Sequence, residues 1–196
     1  MSRYPTDSEA REAILDCGRR LYERGLVAAN DGNITARVSA REVWATPTNV
    51  SKGFMSADSL VKLDLDGNVL SGSKPSSEIK MHLAIYRRAP DILAVVHAHP
   101  PTATAFAAAG IPLSKSTLAE TEALLGEIPV APFAPLGTAE LADGVAAYCA
   151  EYKGVLMARH GVCSWGSGVT EALFNMERIE FTAKIAYMLG QIKPPT

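Results

Sequence analysis

The chain has 196 residues, 47% of them hydrophobic and 20% charged, which bounds it to one domain (residues 1–196) with room for a core of its own. A formal net charge of −2 without any basic run excludes an electrostatic case for nucleic acid or an anionic membrane surface as partner. The polar opening with Ser2, Arg3 and Asp7, and the lack of a bilayer-length apolar run, point to a cytoplasmic protein without a leader peptide.

In chain order, Thr6-Asp7-Ser8-Glu9 reads as a capping box that opens a helix, with Ala10, Ile14, Cys17 and Leu21 as its apolar stripe and Gly25 as its stop. Strand-like pieces follow at Asn33 to Val38 and Glu42 to Ala45. Val61 to Leu65 alternates strictly and turns back through Asp66-Gly67-Asn68 into Val69-Leu70, a hairpin. A helix is predicted from about Ser76 to Arg88, a buried strand from Ile92 to His99, and a helix from Thr102 to Ala109 that stops at Gly110. Thr138 caps a further helix to about Tyr152, and Val169 to Gln191 is the longest. Helices that follow and flank a central sheet describe an α/β fold with mixed or antiparallel strands. Cys17, Cys149 and Cys163 are odd in number and widely spaced, which argues against a disulfide framework and for a reducing compartment.

The histidines carry the chemistry. The strand from Ile92 ends in His97-Ala98-His99, and alternation places both imidazoles on one face. A second apolar run, Val155 to Ala158, ends in Arg159-His160-Gly161 and offers a third imidazole at another strand end. Three neutral imidazoles around an open fourth position form the ligand set of a catalytic zinc site, against the plainer reading of satisfied core histidines. Cys163 lies close to His160, but nothing marks it as an activated thiolate rather than a small buried residue.

Three segments rich in small polar residues accompany the histidines: Asn30 to Asn33, Thr46 to Gly53, and Lys74 to Glu78. Backbone N–H groups at the start of the predicted helix, with the Ser76 and Ser77 hydroxyls, make an anion site without an arginine. Taken singly, Ser76 is equally an N-cap and the loops are turns. Glu78, in the first turn, is favoured there by the helix dipole. Beside a metal it becomes a candidate general base, or a fourth ligand that leaves when substrate binds. His82, four residues on, shares its face and reads as a support for the site or a structural residue rather than a ligand.

The order Gly32-Asn33, Thr48-Asn49, Lys74-Pro75-Ser76-Ser77-Glu78, His97-Ala98-His99-Pro100, Leu136-Gly137-Thr138 and Arg159-His160-Gly161 resembles the class II aldolase/adducin family, nearest by motif to its fuculose-phosphate aldolase branch. The resemblance spans nearly the whole chain. It implies an α/β/α layered domain assembled as a cyclic homotetramer with active sites at subunit interfaces. It also implies zinc, or another divalent metal, on His97, His99 and His160, with Glu78 as the catalytic acid/base. Gly32, Asn33, Thr48, Asn49, Ser76 and Ser77 would hold a substrate phosphate. Glu78, where related ribulose-phosphate 4-epimerases have Asp, points to the aldolase side.

Two departures from that pattern stand out. Asn49 replaces a glycine, which bears on the shape of the phosphate loop. The segment Ile111 to Glu120 lacks the tyrosine that fuculose-phosphate aldolases use there, and Tyr187 falls inside the last predicted helix rather than in a tail. The acid that serves the aldehyde oxygen is therefore unassigned; Glu120 is a substitute on paper and a surface carboxylate on the plainer reading. The expected activity is a metal-dependent aldolase that joins or splits dihydroxyacetone phosphate and a short aldehyde. The alternative is a sugar-phosphate dehydratase or decarboxylase on the same scaffold. A zinc hydrolase leaves the phosphate loops without a task, and a non-catalytic adducin-type module has no need of the histidines.

Overall fold

The computed structural model describes residues 4–192; Ser2 and Arg3 of the polar opening lie outside them. Helix α1 (Asp7–Glu23) opens on the expected capping box, in which Thr6 Oγ1 accepts from Glu9 N and Glu9 accepts from Thr6 N. Its stripe of Ala10, Ile14, Cys17 and Leu21 is buried, and Gly25 at φ +65° ends it in the left-handed conformation that suits glycine.

One sheet of eight strands follows: β1 (Asn33–Arg37), β2 (Glu42–Ala45), β3 (Val61–Asp64), β4 (Val69–Ser71), β5 (Ala94–Ala98), β6 (Val130–Ala131), β7 (Gly154–Met157) and β8 (Gly161–Gly166). The spatial order is β4-β3-β2-β1-β5-β8-β7-β6, and every neighbouring pair is antiparallel except β6 with β7. The expected mixed, mainly antiparallel sheet is thus present, with β5 at its centre. Alternation along β5 sends Ala94, Val96 and Ala98 to one face and Val95 and His97 to the other. The first face packs against α1, α3 (Pro101–Ala109) and α6 (Val169–Leu189). The second packs against α2 (Ile79–Arg88) and α5 (Ala139–Ala146), which completes an α/β/α layering.

Helix α2 starts later than expected. Thr48 N donates to Lys74 O and Ser76 N to Thr46 O, which draws residues 74–76 into an extended pairing with the neighbouring loop. The first helical residue is therefore Ile79, and Glu78 occupies the cap position rather than the first turn. Helix α5 is shorter than predicted: beyond Ala146 the N–H groups of Tyr148 and Cys149 bond three residues back, and the chain leaves the helix in tight turns. Strands β6 and β8 and the short helix α4 (Ala119–Leu124) lack a distinct sequence signal. Glu180, buried on α6, reaches across to accept from the N–H groups of Thr102 and Ala103 at 3.2 and 2.9 Å, and so caps α3 in place of a local residue.

Candidate metal and catalytic site

His97 is fully buried on β5, opposite Asn33 of β1 on one side and Cys163 of β8 on the other. Its Nδ1 lies 2.9 Å from Val162 O, an acceptor only, so Nδ1 carries a proton and Nε2 faces the site. His99 stands one residue past the strand, held by its N–H to Leu26 O at 2.9 Å. His160 occupies the turn between β7 and β8, after Arg159 in the left-handed conformation at φ +59°. Gly161 makes room for this convergence: a Cβ there would stand 2.4 Å from His99 Cδ2 and 2.7 Å from Ala98 O. The three predicted imidazoles meet, one nitrogen from each lying within 4.8 Å of the others.

Glu78 closes the cluster from the start of α2. Its Oε2 lies 3.3 Å from His97 Nε2 and its Oε1 3.2 Å from His160 Nε2. Burial pushes this carboxyl up, but the charge and hydrogen bond of His97, with smaller contributions from His160 and Asn33, outweigh it and hold the group well below the usual carboxylate range. Burial pushes His97 down, and Glu78 reverses this to leave it raised. Burial first, then His97, lower His99 and bring His160 down to about 4. Two imidazoles are thus neutral near pH 7, the form that ligates a metal.

Whether these residues suit a cation can be judged from their own contacts. His97 Nε2 and His99 Nε2 face each other at 3.2 Å, close to the edge of about 3.3 Å set by two nitrogens that share a tetrahedral zinc. Glu78 Oε1 and His160 Nδ1 are buried without a hydrogen-bond partner. A carboxylate oxygen without a donor, beside two imidazole nitrogens that face each other, lacks a positive centre; a small divalent cation fits.

The cluster forms the floor of a polar cavity of about 210 Å³. Gly32, Asn33, Thr48, Asn49, Ser76 and Ser77 all border it, with Glu78, His99 and His160; His97 lies behind the wall. Asn49 has φ +58°, the left-handed conformation that glycine adopts freely and asparagine tolerates, so the departure at this position is compatible with a glycine-like loop. Asn33 is committed elsewhere: its Nδ2 donates to Ser76 Oγ and Glu78 Oε2, and its Oδ1 meets His82. Lys52, in one of the three polar loops, is 2% exposed and ties Asn30 O to Val50 O through Nζ at 2.8 and 2.6 Å, joining two of the cavity loops. Cys163 is buried with its thiol pushed up by burial, so it offers no thiolate. Glu120 is exposed on α4 and does not border the cavity. Among the described residues, neither does any tyrosine.

The family model for the Class II Aldolase and Adducin N-terminal domain matches residues 12–187. A 3-oxo-tetronate 4-phosphate decarboxylase of Pectobacterium atrosepticum is 33% identical, over 96% of this chain and 88% of its own. An L-fuculose phosphate aldolase of Methanococcus maripaludis is 36% identical, over 93% and 98%. The solved L-fuculose-1-phosphate aldolase of Thermus thermophilus superposes with a TM-score of 0.84 at 28% identity, covering 95% of this chain and 97% of that one.

Proposed function

The chain belongs to the class II aldolase and adducin family, and from that premise we propose that it breaks the carbon–carbon bond beside a carbonyl in a small phosphorylated sugar acid and releases carbon dioxide. The observation that carries this reading is the proton inventory of the cavity. Glu78 is a half-buried carboxylate whose Oε1 stands beside His160 without accepting a hydrogen bond, and no phenol borders the same space among the described residues. Aldol chemistry moves two protons, one at the donor carbon and one at the aldehyde oxygen. Decarboxylation of a 3-oxo acid moves one: the carboxylate leaves as carbon dioxide, its bond pair passes toward the carbonyl oxygen, and a proton from solvent ends on the vacated carbon. Among the curated relatives, several named 3-oxo-tetronate 4-phosphate decarboxylases support this alternative over the aldolase reading of the sequence.

A divalent cation, zinc or another, held by His97, His99 and His160 supplies a Lewis acid for the carbonyl oxygen when bound. Glu78 carries the single proton between the cavity and the reacting carbon. The loops of Gly32, Thr48 and Asn49, with the Ser76 and Ser77 hydroxyls, hold the phosphate and fix the reacting end over the histidines. Ser76 Oγ accepts from Asn33 and from Glu78 N, so its own proton is left to donate to an anion. Leu136 at the cavity rim and nearby Phe133 are 64% and 51% exposed, which suits a subunit contact at the site and the cyclic homotetramer that the resemblance implies.

Removal of carbon dioxide from 3-oxo-tetronate 4-phosphate leaves dihydroxyacetone phosphate, the same three-carbon product that a fuculose-phosphate cleavage leaves. The two reactions therefore differ in the co-product. The test offers both substrates and measures carbon dioxide and aldehyde alongside dihydroxyacetone phosphate. Carbon dioxide from the sugar acid at the higher kcat/KM is expected. Aldehyde release from fuculose 1-phosphate at the higher kcat/KM, without carbon dioxide from the acid, overturns the reading in favour of the aldolase, which the 36% identity to the Methanococcus maripaludis protein supports.

A further inference from the structure

Behind Glu78 runs a buried chain of side chains from β1 and α2. On β1, alternation puts Asn33, Thr35 and Arg37 on one face. At the cap of α2 and along it, Glu78, His82 and Tyr86 recur every four residues. The two rows interlock. Asn33 Nδ2 is 2.9 Å from Glu78 Oε2, and Asn33 Oδ1 is 2.5 Å from His82 Nε2. Thr35 Oγ1 is 2.9 Å from His82 Nδ1 and 2.7 Å from Tyr86 Oη. His82 is 0% exposed, Thr35 1% and Tyr86 1%, so water does not compete for these bonds.

The chemistry of the end group sets the direction of every bond. A carboxylate accepts and does not donate, so Asn33 turns its NH₂ to Glu78 and its carbonyl to His82. His82 then donates from Nε2, its Nδ1 accepts from the Thr35 hydroxyl, and Thr35 accepts from the Tyr86 phenol. Reversing the Asn33 amide would set a carbonyl oxygen against the carboxylate, two acceptors face to face. We propose that His82 is a positioning residue: by donating to Asn33 it turns both amide protons toward Ser76 and Glu78, fixes Glu78 Oε2, and leaves Oε1 as the oxygen that exchanges the proton. The role of Oε1 rests on Glu78 being the acid/base of the proposed function; the orientation of the chain does not. Burial, which lowers the His82 imidazole to about 3, agrees with a neutral ring throughout.

Two measurements on the metal-loaded protein test this. Nitrogen NMR of the imidazoles is expected to show His82 as a neutral ring protonated at Nε2; an Nδ1-protonated ring reverses the chain and overturns the proposal, whatever the enzyme's substrate. The second compares His82→Gln, whose terminal amide reaches the Nε2 position and can donate to Asn33, with His82→Asn, which reaches only the Nδ1 side. His82→Asn should lower kcat by about 10- to 100-fold at nearly unchanged KM and metal content, and His82→Gln should recover most of it. Equal kcat in the two variants, with changes confined to the melting temperature, makes His82 a packing residue and refutes the proposal. Both variants are read on whichever co-product the unmodified enzyme forms. Absence of any turnover by the unmodified enzyme refutes the proposed function, and the NMR result then judges the orientation by itself.

Discussion

Gly161→Ala tests the convergence of the histidines with a single methyl group. The glycine is not in a positive-φ conformation, so the substitution probes space alone. The added Cβ would stand 2.4 Å from His99 Cδ2 and 2.7 Å from Ala98 O, where carbon–carbon contacts ordinarily begin at about 3.5 Å. Roughly 1 Å of movement is required. Ala98 is paired with Val162 in the β5–β8 ladder and is fully buried, so the backbone resists. The His99 ring is about one quarter exposed toward the cavity, and it yields. A displacement of about 1 Å at reacting groups lowers rate by roughly 10²-fold, and overpacking of this kind destabilises by about 1–3 kcal/mol. Elemental analysis after dialysis, turnover at saturating metal and the melting temperature together give the answer. Metal retention like that of the unmodified protein, with turnover within threefold, would refute the geometry in which Gly161 seats His99.

The remaining predictions concern other parts of the same molecule. Glu78→Gln keeps shape but cannot carry a proton; with metal content and melting temperature preserved, turnover should fall by about 10²–10⁴, and turnover near that of the unmodified enzyme would make Glu78 structural. A chelator should abolish activity and a divalent metal restore it, whereas trapping by borohydride would point to a lysine Schiff base instead. Burial lowers the Lys52 ammonium to about 8 from an ordinary 10.5, so between those values the unfolded chain binds more protons and the stability of the folded protein rises with pH. The stability difference between the unmodified protein and Lys52→Met should therefore grow in favour of the unmodified protein across that window, by at most roughly 3 kcal/mol; Cys17 and Tyr86, pushed up by burial, act alike in both proteins and cancel. Gly144→Ala, on α5 with nothing within 4 Å of the new methyl, should stabilise by about 0.5–1 kcal/mol and leave turnover unchanged, which a denaturant titration checks.

The histidine cluster was legible because its signals are local and periodic. His97 and His99 sit two apart on an apolar strand, and His160 follows another, so the pattern itself places them on one side of a sheet. The α1 cap and the β3–β4 hairpin were readable for the same reason. What escaped detection depends on partners distant in sequence. The start of α2 moved because residues 74–76 pair with residues 46–48, a contact that spacing along the helix does not encode. Strand β8, Gly-Val-Cys-Ser-Trp-Gly, lacks alternation because both of its faces are covered, so its composition resembles that of a turn. Asn33 reads as a phosphate contact in the linear motif, and its engagement with Glu78 and His82 emerges once β1 and α2 lie together. One signal was present for that as well: the polar alternation of Asn33, Thr35 and Arg37 on a strand otherwise fit for the interior.

The reach of Glu180 across to α3 sets a chronology for the living cell. Helix α3 begins two residues after His99, and its first N–H groups are satisfied from α6, 78 residues later in synthesis. All three imidazoles leave the ribosome before the carboxylate that steadies the segment carrying one of them. A nascent chain that has exposed His160 but not α6 leaves the N–H groups of Thr102 and Ala103, just beyond His99, without their acceptor. Docking of the last helix is therefore the step that completes the start of α3, two residues beyond His99.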